Sequence, residues 1–202
     1  MRYIYILFGT IFIIFGIYTS GIYLDLYGEL EDSGNSINSE LPKSLVKEKL
    51  ISQEPFGREK QILFGDTHVH TTYSTDAFLW SLPILNGEGP HPISDACDFA
   101  RFCANLDFWV STDHAEALTP RKWKSIKEAV RNCNNPTDSN EPDLVTFLGY
   151  EWTQVGNTSD NHYGHKNVMF RDVEEDRVPK RPIGAGGIAT NGMRATIPEQ
   201  SK

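Results

Sequence analysis

Three apolar runs in this chain each lead into residues that bind metal ions or move protons, and that recurrence constrains the fold most. Gln61 to Gly65 reads as a buried strand and opens onto Asp66-Thr67-His68-Val69-His70 and, past a polar loop, Asp76. Asp107 to Ser111 reads as a second strand and opens onto Thr112-Asp113-His114-Ala115-Glu116. Leu144 to Tyr150 is a third, and it delivers Glu151. Lys166 to Phe170 resembles a fourth. Between the first and third runs lie two helical patterns. One spans Ser94 to Ala104 with Ser94 as N-cap, and Ala96, Phe99, Ala100 and Cys103 recur on one face. The other opens at Thr119-Pro120, a cap followed by proline at the first helical position, with Trp123, Ile126, Ala129, Val130 and Cys133 as a core stripe. Strand and helix in alternation predict an α/β fold of mostly parallel strands with helices outside. In barrels of that kind the chemistry gathers at the C-terminal strand ends.

The residue types fit a metal site. In an extended segment His68 and His70, two apart, project to the same side. Asp76, His114, Glu151 and His165 add carboxylate and imidazole donors of the kind that zinc, manganese and iron accept. Asp66 and Asp113 suit a supporting role, orienting a ligand histidine. His91, between two prolines in the irregular excursion 77–92, and His162 read as ordinary loop residues. Tyr73 and Trp152 read as wall residues.

Residues 1–24 form a separate unit. From Tyr3 to Leu24 the chain carries no charged residue, enough apolar length to cross a bilayer as a helix. Arg2 precedes it and acidic residues follow, which favours a cytoplasmic N-terminus with the remainder outside, periplasmic or extracellular. A cleaved signal peptide, leaving a secreted protein, is the competing reading. Residues 25–60 read as a flexible linker, with a short helix over Leu45–Leu50. Residues 61–172 carry the globular pattern, and 173–202 read as an irregular tail. Four strands do not close a barrel, so the chain is expected to be the front part of a longer domain. The net charge of −8 argues against a nucleic-acid partner. Of the three cysteines, Cys97 and Cys103 lie too far apart along one helix to pair. Buried thiols, or a bridge from Cys133 to either, both remain open.

Taken together, Asp66-Thr67-His68-Val69-His70, Thr72-Tyr73-Ser74-Thr75-Asp76, Ser111-Thr112-Asp113-His114 and Gly149-Tyr150-Glu151 resemble the PHP superfamily of polymerase-associated and histidinol-phosphatase domains. Gly149-Tyr150-Glu151-Trp152-Thr153 and Gly164-His165-Lys166-Asn167-Val168 narrow the resemblance to the domain-of-unknown-function 3604 family, over about residues 60–172. The resemblance implies the N-terminal part of a distorted seven-stranded, TIM-like β/α barrel holding two or three zinc, manganese or iron ions. It assigns His68 and His70 to a first ion, Asp76 and His114 to another, and Glu151 to a bridge between two, with His165 as a further ligand. PHP members also use a later histidine and an Asp-x-His motif, and residues 166–202 contain no histidine.

The expected function is a metal-dependent hydrolase acting on a small-molecule ester, foremost a phosphate ester, with Glu151 and His114 in the catalytic role. A sulfate ester would suit the same Lewis-acid chemistry. The alternatives are a non-catalytic metal-binding or interaction module, and an inactive fragment.

Overall fold

The computed structural model describes residues 2–23, 34–53, 61–82, 85, 87, 91–134, 142–154 and 158–184. The linker stretches 25–33 and 54–60, most of the 134–142 connection, parts of the 83–90 excursion, and the tail beyond 184 lie outside the described residues. In chain order the elements are α1 (Arg2–Tyr23), α2 (Lys43–Gln53), β1 (Gly65–Val69), α3 (Thr75–Ser81), α4 (Ile93–Asp98), β2 (Phe108–Ser111), α5 (Pro120–Asn134), β3 (Val145–Gln154) and β4 (Gly164–Phe170). The four strands form one sheet in the order β1-β2-β3-β4, curled like half of a barrel, with α5 packed against β3 and α4 against α5.

Strands β1, β2 and β3 are parallel, as the alternation predicts, but β4 runs antiparallel to β3. The reason is chain length. Only residues 155–163 separate β3 from β4. A parallel crossover needs about a dozen residues or more, whereas a hairpin needs few. A second correction concerns β1, which begins at Gly65 and is mostly exposed, as are Ile62, Leu63 and Phe64 before it. Among the described residues β1 pairs only with β2, so it is an edge strand, and apolar composition alone does not bury an edge.

The core lies between sheet and helices. Trp109, Leu148 and Tyr150 from the strands meet Ile93, Cys97, Trp123, Ile126, Ala129 and Val130 from the helices. The α5 stripe is buried as its spacing predicts, and Thr119 Oγ1 caps the helix by accepting from the Lys122 backbone N–H at 3.2 Å. Each large apolar side chain buried this way contributes about 1.5–3 kcal/mol.

The first core helix departs from expectation. Pro92, not Ser94, occupies the N-cap, and after Asp98 the helix widens into π geometry over Phe99–Cys103. Asn105, with φ of +50°, ends it. Cys97 and Cys133 form a disulfide between α4 and α5, with Cα atoms 6.1 Å apart, which decides between the two cysteine readings. Cys103 is free and exposed. The start of the expected excursion 77–92 is instead helical, as the end of α3.

Part of the expected linker is fastened to the domain. Gly34, at φ +70°, lies so close to Ser94 that a Cβ would sit 2.1 Å from its hydroxyl oxygen. The Ile37 N–H donates to Asp98 Oδ1 at 2.9 Å. Helix α2 then places Lys49 against the Leu106 and Asp143 carbonyls at 2.6 and 2.5 Å, beside Asp107 at 3.5 Å. Further along the chain, Arg131 donates to the Val173 carbonyl and Trp123 Nε1 to the Pro179 carbonyl, so residues 173–179 lie against α5.

Helix α1 is long and apolar enough to cross a membrane and stands near the N-terminus, features shared by anchors and signal sequences.

Candidate metal centre

The site is assembled by β1, the loop to α3, the end of β2 and the β3–β4 hairpin. In β1, Gly65 and Asp66 pair with Phe108 and Trp109, whereas Val69 pairs with Ser111. Strand β1 therefore takes three steps where β2 takes two, a one-residue bulge that re-aims its side chains. His68 within the bulge and His70 just past it both meet Glu151 of β3. His68 Nε2 lies 3.0 Å from His70 Nε2, and Glu151 Oε2 lies 3.1 and 2.8 Å from those two atoms. Donors on one ion at about 2.1 Å, with angles between octahedral and tetrahedral, stand about 3.0–3.4 Å apart. This triad comes within a few tenths of an ångström of that spacing.

Two further triads overlap it. His70 Nδ1 and His114 Nε2 face the Asp76 carboxylate at 3.6 and 3.2 Å. His114 Nδ1 and His165 Nδ1 face Glu151, the former at 3.6 Å and the latter in direct contact. His70, His114 and Glu151 each belong to two triads. The donor chemistry fits one or more divalent ions, and all six residues expected from the sequence converge here. His91 and His162 stand outside these groups.

Two expected positions need correcting. His68 lies inside β1, and Glu151 lies inside β3, which runs to Gln154 rather than stopping at Tyr150. The ladder carries them: a bridge between His114 and Glu151 and the long pairing with β4 extend order beyond the apolar run.

The carboxylates experience different environments. Burial works to raise the Glu151 carboxyl, but hydrogen bonds from His165 and His68 and the charges of His114 and His70 outweigh it and hold it below the usual range. For Asp76 burial again works upward, and the Ala77 N–H with the His114 and His70 charges prevails, so it too is lowered. Asp113 is fully buried, and burial pushes its carboxyl up against the opposing pull of its donors.

Asp66 and Asp113 act on backbone rather than on imidazole rings. Asp66 Oδ1 accepts from the His68 N–H at 2.9 Å. Asp113 Oδ1 accepts from the Thr71 N–H at 2.7 Å and the Ser74 hydroxyl at 2.8 Å, and Oδ2 from the Thr71 hydroxyl at 2.9 Å. Ser74 Oγ in turn accepts from the His114 N–H at 2.9 Å. Asp113 thus pins the loop between His70 and Asp76 to the strand end that carries His114.

Two other residues escaped the sequence reading. Thr153 Oγ1 lies 3.2 Å from His165 Nδ1 and 3.4 Å from His114 Nδ1. Asn167 Nδ2 donates to the Thr67 carbonyl at 2.8 Å, linking β4 to β1 across the curl of the sheet. Thr153 and Asn167 sit two residues from Glu151 and His165. Period-two spacing along both strands is the signal that would have found them. Beside β1 a cavity of about 760 Å³ reaches from His68, His70 and His91 to Phe99, Leu106 and Trp109.

No curated protein and no solved structure matches the chain significantly. The family model described as a protein of unknown function, DUF3604, matches residues 57–122 and 94–188. The match spans the sheet, its helices and all six converging residues, and the chain belongs to the DUF3604 family.

Proposed function

We propose that this domain is a metal-dependent hydrolase of phosphate esters, built as the front part of a PHP-type, TIM-like barrel. The observation that carries the reading is the overlap of three donor triads through His70, His114 and Glu151. A structural ion needs one closed set of ligands, whereas a carboxylate shared between sets can hold two ions side by side, as two-ion hydrolysis requires, and Glu151 turns Oε2 to His68 and His70 and Oε1 to His165. In this reading His68, His70, Asp76, His114, Glu151 and His165 hold two or three zinc, manganese or iron ions. Bound ions supply Lewis acidity, polarising a phosphoryl oxygen and bringing the pKa of water to about 7.

The chain's own residues do the rest. Glu151, held below the usual carboxyl range, stays ionised at neutral pH and presents both oxygens to neighbouring ligand sets. His114 is fixed by its backbone bond to Ser74 and by its ring contacts with Asp76 and Thr153. Asp113 keeps the His70–Asp76 loop in register with both. The cavity beside His68 and His70 offers room for a small ester.

We place the domain outside the cytoplasm, anchored by α1. The Cys97–Cys133 bridge favours an oxidising compartment, and Arg2 favours a cytoplasmic N-terminus.

The test is elemental analysis of the purified chain, followed by turnover of aryl phosphate mono- and diesters with zinc, manganese and iron in turn. At least two ions per chain and turnover lost in Glu151→Gln are expected. One ion per chain with no turnover would overturn the hydrolase reading in favour of a binding module.

A further inference from the structure

The ligand loop runs directly into α3, whose first turn contributes Asp76 to the candidate metal centre. The rest of that helix is unusual for a soluble surface. Phe78, Leu79 and Trp80 are consecutive and all exposed, Trp80 to 71%, and Leu85 just beyond is exposed as well. Three adjacent large apolar residues cover most of the helix circumference, so rotating it cannot hide them all. They form an apolar rim immediately beside the metal centre.

The path of the N-terminal segment bears on the same end of the domain. Helix α4 follows His91, whose carbonyl accepts from the Thr72 N–H of the ligand loop at 3.2 Å, so the start of α4 lies at the metal-centre end. Gly34 packs against Ser94 in the first turn of α4, and Ile37 is held by Asp98 at its last residue. From there the segment leads through α2 to Lys49, beside the Leu106 and Asp143 carbonyls that precede β2 and β3 at the opposite end. The chain coming from α1 therefore joins the domain at the metal-centre end. Only residues 24–33 intervene between α1 and Gly34. Ten residues span at most about 36 Å.

On the anchor reading given above, we infer that α3 and Leu85 form a membrane-docking rim that seats the metal-centre end of the domain on the bilayer holding α1. The rim has the composition of an interfacial element: tryptophan and phenylalanine favour the headgroup boundary, and leucine the acyl region just below. Attachment at the same end keeps the rim within reach of the bilayer. Attachment at the Lys49 end would have put the whole domain between them. Docked this way, the metal centre faces ester groups at the membrane surface rather than bulk solvent.

The test uses the full chain reconstituted into phosphatidylcholine–phosphatidylglycerol vesicles with brominated acyl chains, recovered by flotation and read by tryptophan fluorescence. Helix α1 has no tryptophan, and Trp109 and Trp123 are fully buried. The expected result is bromine quenching of part of the emission, with that part lost in Trp80→Phe and weakened when Phe78 and Leu79 are both replaced by serine. Failure to float overturns the anchor reading and this inference together. Flotation without Trp80 quenching overturns the inference alone. Trp80 shielded from aqueous acrylamide yet untouched by bromine assigns the rim to a second copy or another protein segment, and overturns it too.

Discussion

Replacing Asp113 separates a loop-pinning role from a passive buried acid. In the wild type its carboxylate accepts from the Thr71 N–H and from the Thr71 and Ser74 hydroxyls, all in buried surroundings. Asp113→Ala leaves the Thr71 N–H without an acceptor, at about 1–3 kcal/mol, and strips two hydroxyls of theirs, at about 0.5–1.5 kcal/mol each. The hydroxyls are partly compensated, since Ser74 still accepts from His114 and Thr71 from Tyr73. A net loss of about 3 kcal/mol follows. Asp113→Asn keeps an acceptor for two of the donors and offers an amide N–H to the Thr71 hydroxyl, so it costs about 1 kcal/mol. Urea unfolding of the metal-free protein, followed by tryptophan emission, measures both. The pH dependence adds a check of sign. The Asp113 carboxyl is raised in the folded state by burial. Its contribution to stability is full below the unfolded value of about 3.9 and declines as pH rises through the folded value. Asp113→Asn removes that decline. Equal stabilities for the Ala and Asn variants would refute the pinning role.

Glu151 carries the opposite sign. Its folded carboxyl is lowered, because its histidine partners outweigh burial. The stability it confers on the metal-free protein is present above about pH 4.3 and lost as pH falls through the folded value, and Glu151→Gln flattens that arm of a pH-denaturation curve. His70 belongs to two triads and His68 to one, so His70→Ala removes more bound metal than His68→Ala by elemental analysis. Cys97→Ser paired with Cys133→Ser opens a bridge of sequence separation 36 and costs about 4 kcal/mol, read in urea unfolding against the oxidised wild type.

What the sequence revealed and what it withheld follow from the physics of each element. Helix α5 was legible because its apolar stripe, threonine cap and first-turn proline all specify the same helix. The donor residues were legible because imidazole and carboxylate following apolar runs are chemically distinctive. The extent of the first core helix, about 94–104, was legible to within a residue, but its cap and its winding were not. Ser94 resembles a cap by composition but is buried beneath Gly34, a contact 60 residues away in sequence that no local pattern encodes. The switch to π geometry at Phe99 likewise leaves no periodic trace across five residues.

The strand ends were underestimated for a related reason. Hydrophobicity reports burial, and β3 continues as a strand after its apolar run stops, because β4 supplies the backbone partners. Once β3 is extended to Gln154, alternation puts Glu151 and Thr153 on one face. The hairpin register pairs them with Asn167 and His165. Four polar residues are thereby aligned on one face of the hairpin. His165 meets Glu151 across the hairpin, Thr153 contacts the His165 and His114 rings, and His68 and His70 reach the same carboxylate from β1, so the hairpin is part of the site rather than a strap beyond it. The same register explains why Asn167 reaches Thr67: the residue opposite Glu151 must lie close to whatever strand carries the histidines that meet it.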